Sequence, residues 1–143
     1  MLKHIDPLLS AELLFALDKM GHGDRLAIVD ANFPSYSHSS NTHISLIGVD
    51  ASTVLTSVVK HFPLDAFTET PFLIMAQDGS QELTESAQDF INVQRSSEEA
   101  SHQYALVDRQ DFYQIAKSCQ LVIRTNDRRA YACMVLQKGV IFD

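Results

Sequence analysis

The sequence has 143 residues, of which 45% are hydrophobic and 20% are charged, and it carries a net charge of -7. This length and composition predict a single domain over residues 1–143 with a buried core, and they exclude an intrinsically disordered chain. The acidic excess repels phosphate backbones and anionic lipid surfaces, so we expect neither nucleic acid nor a membrane as a partner. The charged fraction is below the usual value of about 25%, as expected if subunit contacts cover part of the surface.

Two further features bear on the compartment. No apolar run approaches the roughly 20 residues that cross a bilayer, and residues 1–7 are too few and too polar for a secretory signal. Cys119 and Cys133 lie in apolar, β-branched runs, where free thiols pack as small hydrophobic groups in reducing compartments. We therefore expect a cytoplasmic protein without disulfide bonds.

In the first third of the chain, the pattern predicts a helix, a strand and a loop. Ser10 is placed as the N-cap of a helix whose apolar residues share one face and which Gly21 ends. Residues 26–29 form a short apolar run that predicts a buried strand, and Asp30 follows it directly. Residues 34–42 are rich in Ser, Asn and His, as is typical of an exposed or ligand-covering loop.

The remaining elements continue the alternation. Asp50 caps a second predicted helix that ends before Pro63, and residues 72–76 predict a strand. Residues 82–100 predict a largely solvated helix followed by a frayed connection. Then come a strand (104–107), a helix capped by Asp108, a strand (121–123) and a last strand (131–136). This order predicts an α/β fold, a single-domain layered sheet with helices on its faces, which binds ligands at the carboxyl ends of strands.

The segment Gly21-His22-Gly23-Asp24 lies between a helix end and a strand. Two glycines can hold an exposed imidazole at unusual backbone angles, and an imidazole exchanges protons near neutral pH, so His22 is a candidate general acid. The alternative is a helix C-cap in which the histidine compensates the helix dipole.

Asp30 is the second candidate, because a carboxylate that ends an apolar strand needs a hydrogen-bond partner. An Asx turn that caps the loop explains it equally well.

Arg109 could bind a hydroxylated ligand, pair with Asp30 or lie on the solvated surface. Tyr131 could contact a ligand or pack as an ordinary strand residue. Arg124, Arg128 and Arg129 are expected on a solvated or intersubunit face.

Metal and cofactor motifs are missing from the sequence. The side chains of His22, Asp24, Asp30, His38 and His43 could supply metal ligands, but no pair has the spacing of a known metal motif. There is also no phosphate-binding loop and no nucleophile elbow. We therefore expect no cofactor and no metal. A metal-dependent lyase or isomerase that uses the histidines of residues 38–43 stays as an alternative.

The ordered motifs of the chain resemble the L-fucose mutarotase and D-ribose pyranase family, and the fucose branch more closely. The resemblance covers almost the whole chain. It is carried by Leu8-Leu9-Ser10-x-Glu12-Leu13-Leu14, Met20-Gly21-His22-Gly23-Asp24, Asp30-Ala31-Asn32-Phe33-Pro34, Phe62-Pro63-Leu64-Asp65, Arg109-x-x-Phe112-Tyr113-x-x-Ala116, Tyr131-Ala132 and Lys138-Gly139-Val140.

This resemblance implies a sugar mutarotase that needs neither cofactor nor metal and that interconverts anomers or ring forms of a free monosaccharide, with L-fucose as the expected substrate. It implies that His22 donates a proton and that Asp30, Arg109 and the tripeptide Tyr131-Ala132-Cys133 contact the sugar. It also implies a homo-oligomeric ring, often a decamer in bacterial relatives, with sites close to subunit interfaces.

Two segments depart from the family pattern. Cys133 stands where the family usually has Asn, so that a weakly bonding thiol replaces an amide. The segment Ile44-Ser45-Leu46-Ile47-Gly48 lacks the Arg-Ala-Asp-Gly run of the fucose branch. These departures leave an alternative function, a catalytically weak sugar-binding or sensing oligomer of the same fold.

Overall fold

The computed structural model describes all of residues 1–143. Four helices and six strands make up the fold, and their bounds are α1 Ala11–Lys19, β1 Arg25–Val29, β2 Thr42–Ser45, α2 Ala51–Val58, β3 Phe72–Met75, α3 Glu85–Arg95, β4 Tyr104–Val107, α4 Arg109–Ser118, β5 Leu121–Arg124 and β6 Met134–Gln137. The predicted α/β class is confirmed. None of the four helices combines the length and the apolar character that crossing a membrane requires.

The six strands form one mixed sheet in the order β2-β5-β1-β6-β3-β4. Strand β6 runs antiparallel to both of its neighbours, β1 and β3, and the other pairs are parallel. Five strands therefore end at the same edge of the sheet, where β6 begins. We call this the carboxyl edge, and the opposite edge the amino edge.

The sheet separates two hydrophobic cores because successive side chains of a strand point to opposite faces. On β1, Leu26 and Ile28 pack in the larger core with α1, α2 and α3, whereas Ala27 and Val29 pack in the smaller core with α4. The fold thus has three layers, with the sheet in the middle. Because the central strands β5, β1, β6 and β3 are mostly buried on both faces, the two edges are the main places for polar chemistry along them.

The predicted helix starts are confirmed. The side chain of Ser10 accepts a hydrogen bond from the N–H of Leu13, and that of Asp50 accepts one from Thr53. Asp108 occupies the N-cap position of α4, but its side chain makes no capping hydrogen bond. A polar cap satisfies N–H groups that the first helical turn leaves without partners, which fixes where these helices begin.

Three predictions about elements are wrong. Strand β2 begins at Thr42, at the end of the segment predicted to be a loop. Helix α3 is not largely solvated, since its Phe90 and Ile91 are buried against the core, and the connection after it is held by the Gln94 side chain, which donates to the carbonyl of His102 at 3.1 Å. The last strand begins at Met134, so that residues 131–133 form the turn before it.

Candidate active site

A cleft of about 380 Å³ opens at the carboxyl edge of the sheet. It collects residues that follow β1, β3 and β4 and residues that precede β6, because all four segments meet at this edge. Ten residues line it: Asp30, Asn32, Phe33, Met75, Asp78, Arg109, Tyr113, Arg129, Ala130 and Tyr131. Three of the residues predicted to contact a ligand, Asp30, Arg109 and Tyr131, are therefore brought together.

Asp30 forms the predicted Asx turn and also faces the cleft. Its Oδ1 accepts hydrogen bonds from the N–H groups of Asn32, at 2.9 Å, and Phe33, at 2.8 Å. The residue is 8% exposed. The turn uses one carboxylate oxygen and holds the side chain in a fixed orientation. Asp30 can therefore both form the Asx turn and face a ligand.

Cys133 and Ala132 lie beneath the cleft and are fully buried. The thiol of Cys133 donates to Oδ2 of Asp30 at 3.2 Å, and its sulfur accepts from the N–H of Asp30 at 3.5 Å. Burial, reinforced by the Asp30 carboxylate, raises the pKa of Cys133 well above its usual value. At neutral pH the group is a thiol, and it supports Asp30 from below.

Arg109 pairs with Asp78 and not with Asp30, which settles one of the alternatives for this residue. Its Nε donates to both carboxylate oxygens of Asp78, at 3.1 and 3.2 Å, and its side chain is 39% exposed. Contact with Tyr113 and the ion pair with Asp78 raise the pKa of Arg109. The guanidinium is thus a fixed cation on the cleft wall, with donors left for a ligand.

Tyr131 does not pack as a strand residue. It has a φ of 61°, in the left-handed region that side chains other than glycine rarely adopt, and its carbonyl accepts from the N–H of Cys133 at 2.8 Å. Strained backbone of this kind is often found where a side chain is held for binding. The tight turn directs the chain from the cleft into β6.

Arg129 is a cleft residue that the sequence analysis missed. It was expected on a solvated or intersubunit face, but it is part of the cleft wall and bonds to Asp127 at 2.9 Å and to Asp89. Burial alone raises the pKa of Asp127, but hydrogen bonds from Arg129 outweigh it and the pKa is lowered. Asp127 is only two positions away, but Asp89 lies 40 positions earlier in the chain, so the sequence alone did not place Arg129 in the cleft.

His22 lies at the amino edge, on the turn between α1 and β1. Gly23 has a φ of 86°, which gives this turn its shape. At the end of α1, the ammonium group of Lys138, and not the imidazole of His22, donates to the carbonyls of Leu17 and Met20. The imidazole is therefore free for another role, and its side chain is 49% exposed.

The partner of His22 is Asp65, whose side chain is 3% exposed. The distance from Nε2 of His22 to Oδ1 of Asp65 is 3.1 Å. Burial alone raises the pKa of Asp65, but hydrogen bonds from Phe67, Thr68, His22 and Gln137 outweigh it and lower the pKa to about 2. A buried, ionised carboxylate therefore holds an exposed imidazole.

His22 and Asp30 are at opposite ends of β1, a strand of five residues. Such a strand is about 17 Å long at about 3.3 Å per residue. The resemblance assigns both residues to one sugar site, but His22 and Asp30 of the same chain cannot lie side by side. The residue before a strand and the residue after it lie at opposite edges of a sheet, which the strand assignment already implied.

Asp65 is the second functional candidate that the local sequence patterns did not indicate. It appears in the sequence only as part of Phe62-Pro63-Leu64-Asp65, one of the motifs that carry the resemblance. A single acidic residue among apolar neighbours was the available signal. Its partner His22 lies 43 positions earlier in the chain, so the pair could not be found without the fold.

A second cavity, of about 470 Å³, opens between α1 and the amino edge. Several of its polar groups already have partners within the chain. Asn41 donates to the carbonyl of Cys119, Gln120 accepts from the N–H of Arg25, and Asp24 accepts from the N–H of Gly21. None of the residues predicted to donate a proton to the sugar or to contact it lines this cavity.

The histidines of residues 38–43 do not form a metal centre. His38 packs against Phe33 and Tyr113, with ring centroids 6.2 and 5.0 Å away. The Nε2 atom of His43 is buried without a hydrogen-bond partner. No three His, Cys, Asp or Glu side chains are arranged to hold a metal ion. The proposed metal-dependent alternative therefore has no candidate ligand set.

The fold and the cleft together define a class: a small α/β protein that binds a polar ligand rich in hydroxyl groups. Carboxylate, guanidinium and phenol groups in one cleft can accept from and donate to such hydroxyls. The chain belongs to the RbsD / FucU transport protein family, whose model matches residues 3–141.

Individual relatives agree with this assignment over nearly the full length. The chain is 32% identical over 141 residues to the L-fucose mutarotase of Haemophilus influenzae (98% of this chain, 97% of the relative). It is 33% identical over 146 residues to the fucose mutarotase of Bos taurus (98% and 94%). The crystal structure of the fucose mutarotase from Streptococcus pneumoniae in complex with L-fucose matches with a TM-score of 0.90 at 28% identity (99% and 100%).

Proposed function

We propose that this protein is a sugar mutarotase that interconverts the anomers or ring forms of a free monosaccharide, and that its substrate is L-fucose. Membership of the family and the full-length similarity to proteins named L-fucose mutarotase and fucose mutarotase support this function. The observation that carries it is the cleft in which Asp30, Arg109 and Tyr131 converge at the carboxyl edge. The proposal includes no cofactor.

The chemistry needs one acid and one base. To open a cyclic hemiacetal, a proton must reach the ring oxygen and another must leave the anomeric hydroxyl. The bond between C1 and the ring oxygen then breaks, and the open-chain aldehyde can close on either face. Because this exchange also occurs slowly in water, acid–base catalysis of roughly 100- to 10,000-fold is sufficient.

We assign these roles to the residues of the two edges. His22 is the acid that protonates the ring oxygen, and Asp30 is the base that accepts the proton of the anomeric hydroxyl. Arg109 and Tyr131 orient the sugar through its other hydroxyls. The family resemblance places Ala132 and Cys133 among the sugar contacts, but both are fully buried. In this proposal Cys133 acts from beneath the cleft by supporting Asp30 through its thiol, and Ala132 packs in the larger core.

This assignment requires two copies of the chain. One monosaccharide cannot contact His22 and Asp30 of the same chain, because the whole of β1 lies between them. In the proposed assembly, His22 of one copy reaches into the cleft of the next. A ring of copies joined in this way, such as a decamer, completes every site by the same contact.

The surface around His22 supports this assembly. Phe67 is 71% exposed, Ile141 78% and Phe142 73%. The ring of Phe67 lies 5.7 Å from that of His22 and 6.5 Å from that of Phe142. Exposed apolar groups that cluster in this way are typical of a surface that another protein covers.

A cytoplasmic location is also part of the proposal, supported by two cysteines that are both free and buried.

Saturation-transfer NMR on equilibrated sugars tests the function. The protein is expected to speed anomer exchange of L-fucose more than that of other aldoses, and His22→Ala is expected to abolish the gain. His61→Ala, which removes another exposed histidine, is the matched control and should exchange the sugar at the wild-type rate. Binding without faster exchange would instead favour the sugar-binding or sensing function.

A further inference from the structure

The cleft contains a second carboxylate that the proposed mechanism does not use. Asp78 lies on the cleft wall beside Arg109, and its side chain is 55% exposed. We propose that Asp78 is a sugar-binding residue that acts together with Arg109 to hold two neighbouring hydroxyl groups of the substrate. One hydroxyl donates to the carboxylate, and the other accepts from the guanidinium. This role rests on the proposed function, and it determines which sugars the cleft accepts.

Asp78 is carried by a tight turn that follows β3. The carbonyl of Gln77 accepts from the N–H of Ser80 at 3.2 Å, and Gly79 has a φ of 71°. A type II turn requires a positive φ at its third residue, which glycine adopts without strain. Asp78 is the second residue of this turn, so its backbone is fixed at the cleft.

The arginine beside Asp78 keeps most of its donors. Nε of Arg109 donates to both carboxylate oxygens of Asp78, at 3.1 and 3.2 Å. A guanidinium has five N–H groups, and this ion pair does not use those on the two Nη atoms. The guanidinium also lies over the ring of Tyr113, with Cζ 5.8 Å from the ring centroid. Because Asp78 and Tyr113 contact it from two directions, the planar group is held in one orientation.

The carboxylate of Asp78 also keeps acceptor capacity. A carboxylate offers about four lone-pair positions, and within the chain Asp78 receives only the Nε–H of Arg109. The carboxylate of Asp30 receives two backbone N–H groups and the thiol of Cys133. Asp78 is therefore the cleft carboxylate with more acceptor positions left for hydroxyl groups.

The second cation of the cleft does not compete for Asp78. Arg129 donates through Nε and Nη2 to Asp127 and through Nη1 to Asp89. Its charge is thus paired with carboxylates outside the cleft wall. Arg109 is the cation that Asp78 and a ligand share.

A carboxylate beside a guanidinium matches two neighbouring hydroxyl groups. Each hydroxyl can donate and accept, so one can donate to Asp78 while the next accepts from an Nη–H of Arg109. Hydrogen bonds to charged groups are stronger than those between neutral groups, so a sugar that lacks either hydroxyl binds more weakly. In L-fucopyranose the anomeric hydroxyl faces Asp30 in the proposed mechanism, which leaves the hydroxyls of C2, C3 and C4. Either neighbouring pair of these includes the hydroxyl of C3.

Deoxy sugars test this role of Asp78. The affinities of L-fucose and of its 2-, 3- and 4-deoxy analogues are measured by titration followed by protein NMR. The wild type is expected to bind the 3-deoxy analogue and one of the other two at least about tenfold more weakly than L-fucose. Asp78→Ala should abolish this loss for one of the two hydroxyls, and Arg109→Ala should abolish it for the other.

Asp111→Ala is the matched control. This exposed carboxylate lies in the first turn of α4, close to Arg109 in the chain, and it does not line the cleft. The variant removes the same charge near the same arginine. Its affinities for all four sugars should equal those of the wild type.

The outcomes separate the role of Asp78 from the proposed function. If Asp78→Ala leaves every loss at its wild-type value, Asp78 does not bind the sugar. If Asp78→Ala and Arg109→Ala abolish the same loss, Asp78 acts only through the arginine, and the proposal is also wrong. If the affinities follow the expected pattern but L-fucose exchanges no faster than in water, the hydroxyl-binding pair stands and the mutarotase function fails. Fast exchange with affinities that do not depend on Asp78 would have the opposite meaning.

Discussion

The two edges of the sheet carry different chemistry. At the carboxyl edge the charges are paired with each other, Arg109 with Asp78 and Arg129 with Asp127, in a cleft whose polar groups suit hydroxyl binding. At the amino edge a single buried carboxylate holds a half-exposed imidazole beside apolar rings. In the proposed function, the first edge orients the ligand and the second moves a proton.

In the proposed function, neither edge suffices alone. Paired charges hold side chains in place, but none of the cleft residues is a histidine that could both give and take a proton near neutral pH. The amino edge has such a group but few polar side chains to orient a sugar around it. The proposed site is therefore shared between copies, and three experiments test the difference between the two edges.

The largest effect is expected when two inactive variants are mixed. His22→Ala lacks the acid and Asp30→Asn lacks the base, and each alone should lose roughly 100-fold or more in exchange rate. After the two are dissociated and reassembled together in equal amounts, about a quarter of the sites should combine an intact His22 with an intact cleft. Saturation-transfer NMR on L-fucose measures the regained rate.

The control for this experiment is each variant taken through the same procedure alone, which should regain nothing. If the mixture also stays inactive although size measurements show mixed assemblies, the two edges do not cooperate between copies. If the exchange rate rises with protein concentration over the same range as the assembly does, this result further supports a site that is shared between copies.

A smaller effect concerns stability in acid. The pKa of Asp65 is about 2 in the folded chain, against an ordinary value of 3.8. Because the folded state binds the proton less tightly, the carboxylate stabilises the fold fully above about pH 4, and this contribution of up to about 2 kcal/mol is lost as the pH falls towards 2. Urea unfolding over this range should show a shallower pH dependence for Asp65→Asn.

Thr68→Val serves as the comparison, since it removes one donor to Asp65 and leaves the charge. It should keep part of the pH dependence of the wild type. An Asp65→Asn variant whose unfolding free energy falls with pH as steeply as that of the wild type would show that the amino edge does not hold an ionised carboxylate.

The smallest effect is expected beneath the cleft. Cys133→Ala removes the thiol that donates to Asp30, which should reduce the unfolding free energy by about 1 kcal/mol and the exchange rate several-fold. Cys133→Ser keeps a donor and should restore most of the rate. Equal exchange rates for the alanine and serine variants and the wild type would show that Asp30 needs no support from this position.

The helix starts and several strands could be predicted from local sequence because local interactions determine them. Ser10 and Asp50 cap their helices through hydrogen bonds to residues three positions later, and β4 matches its predicted bounds. Asp30 was placed correctly at the end of β1 for the same reason. Each of these features depends on residues that are close together in the chain.

The errors have several causes, and in each the local pattern does not show how the segment packs. Strand β2 was missed because Thr42–Ser45 is a short edge strand whose backbone partner, β5, lies far along the chain. Helix α3 was taken as solvated because its few apolar residues are concentrated on one face. Tyr131 was assigned to a strand because it begins the apolar run of residues 131–136, whereas the fold requires a tight turn there.

The sequence by itself determined the α/β class, the family resemblance and the residue types available for acid–base chemistry, because composition, periodicity and motif order are properties of the chain alone. Only the tertiary structure decided that His22 pairs with Asp65, that Arg109 pairs with Asp78, and that His22 and Asp30 lie at opposite edges of the sheet. Those pairings depend on strand order and direction. Strand order and direction are fixed when distant segments pack on a common core, and no local pattern encodes the distances that result.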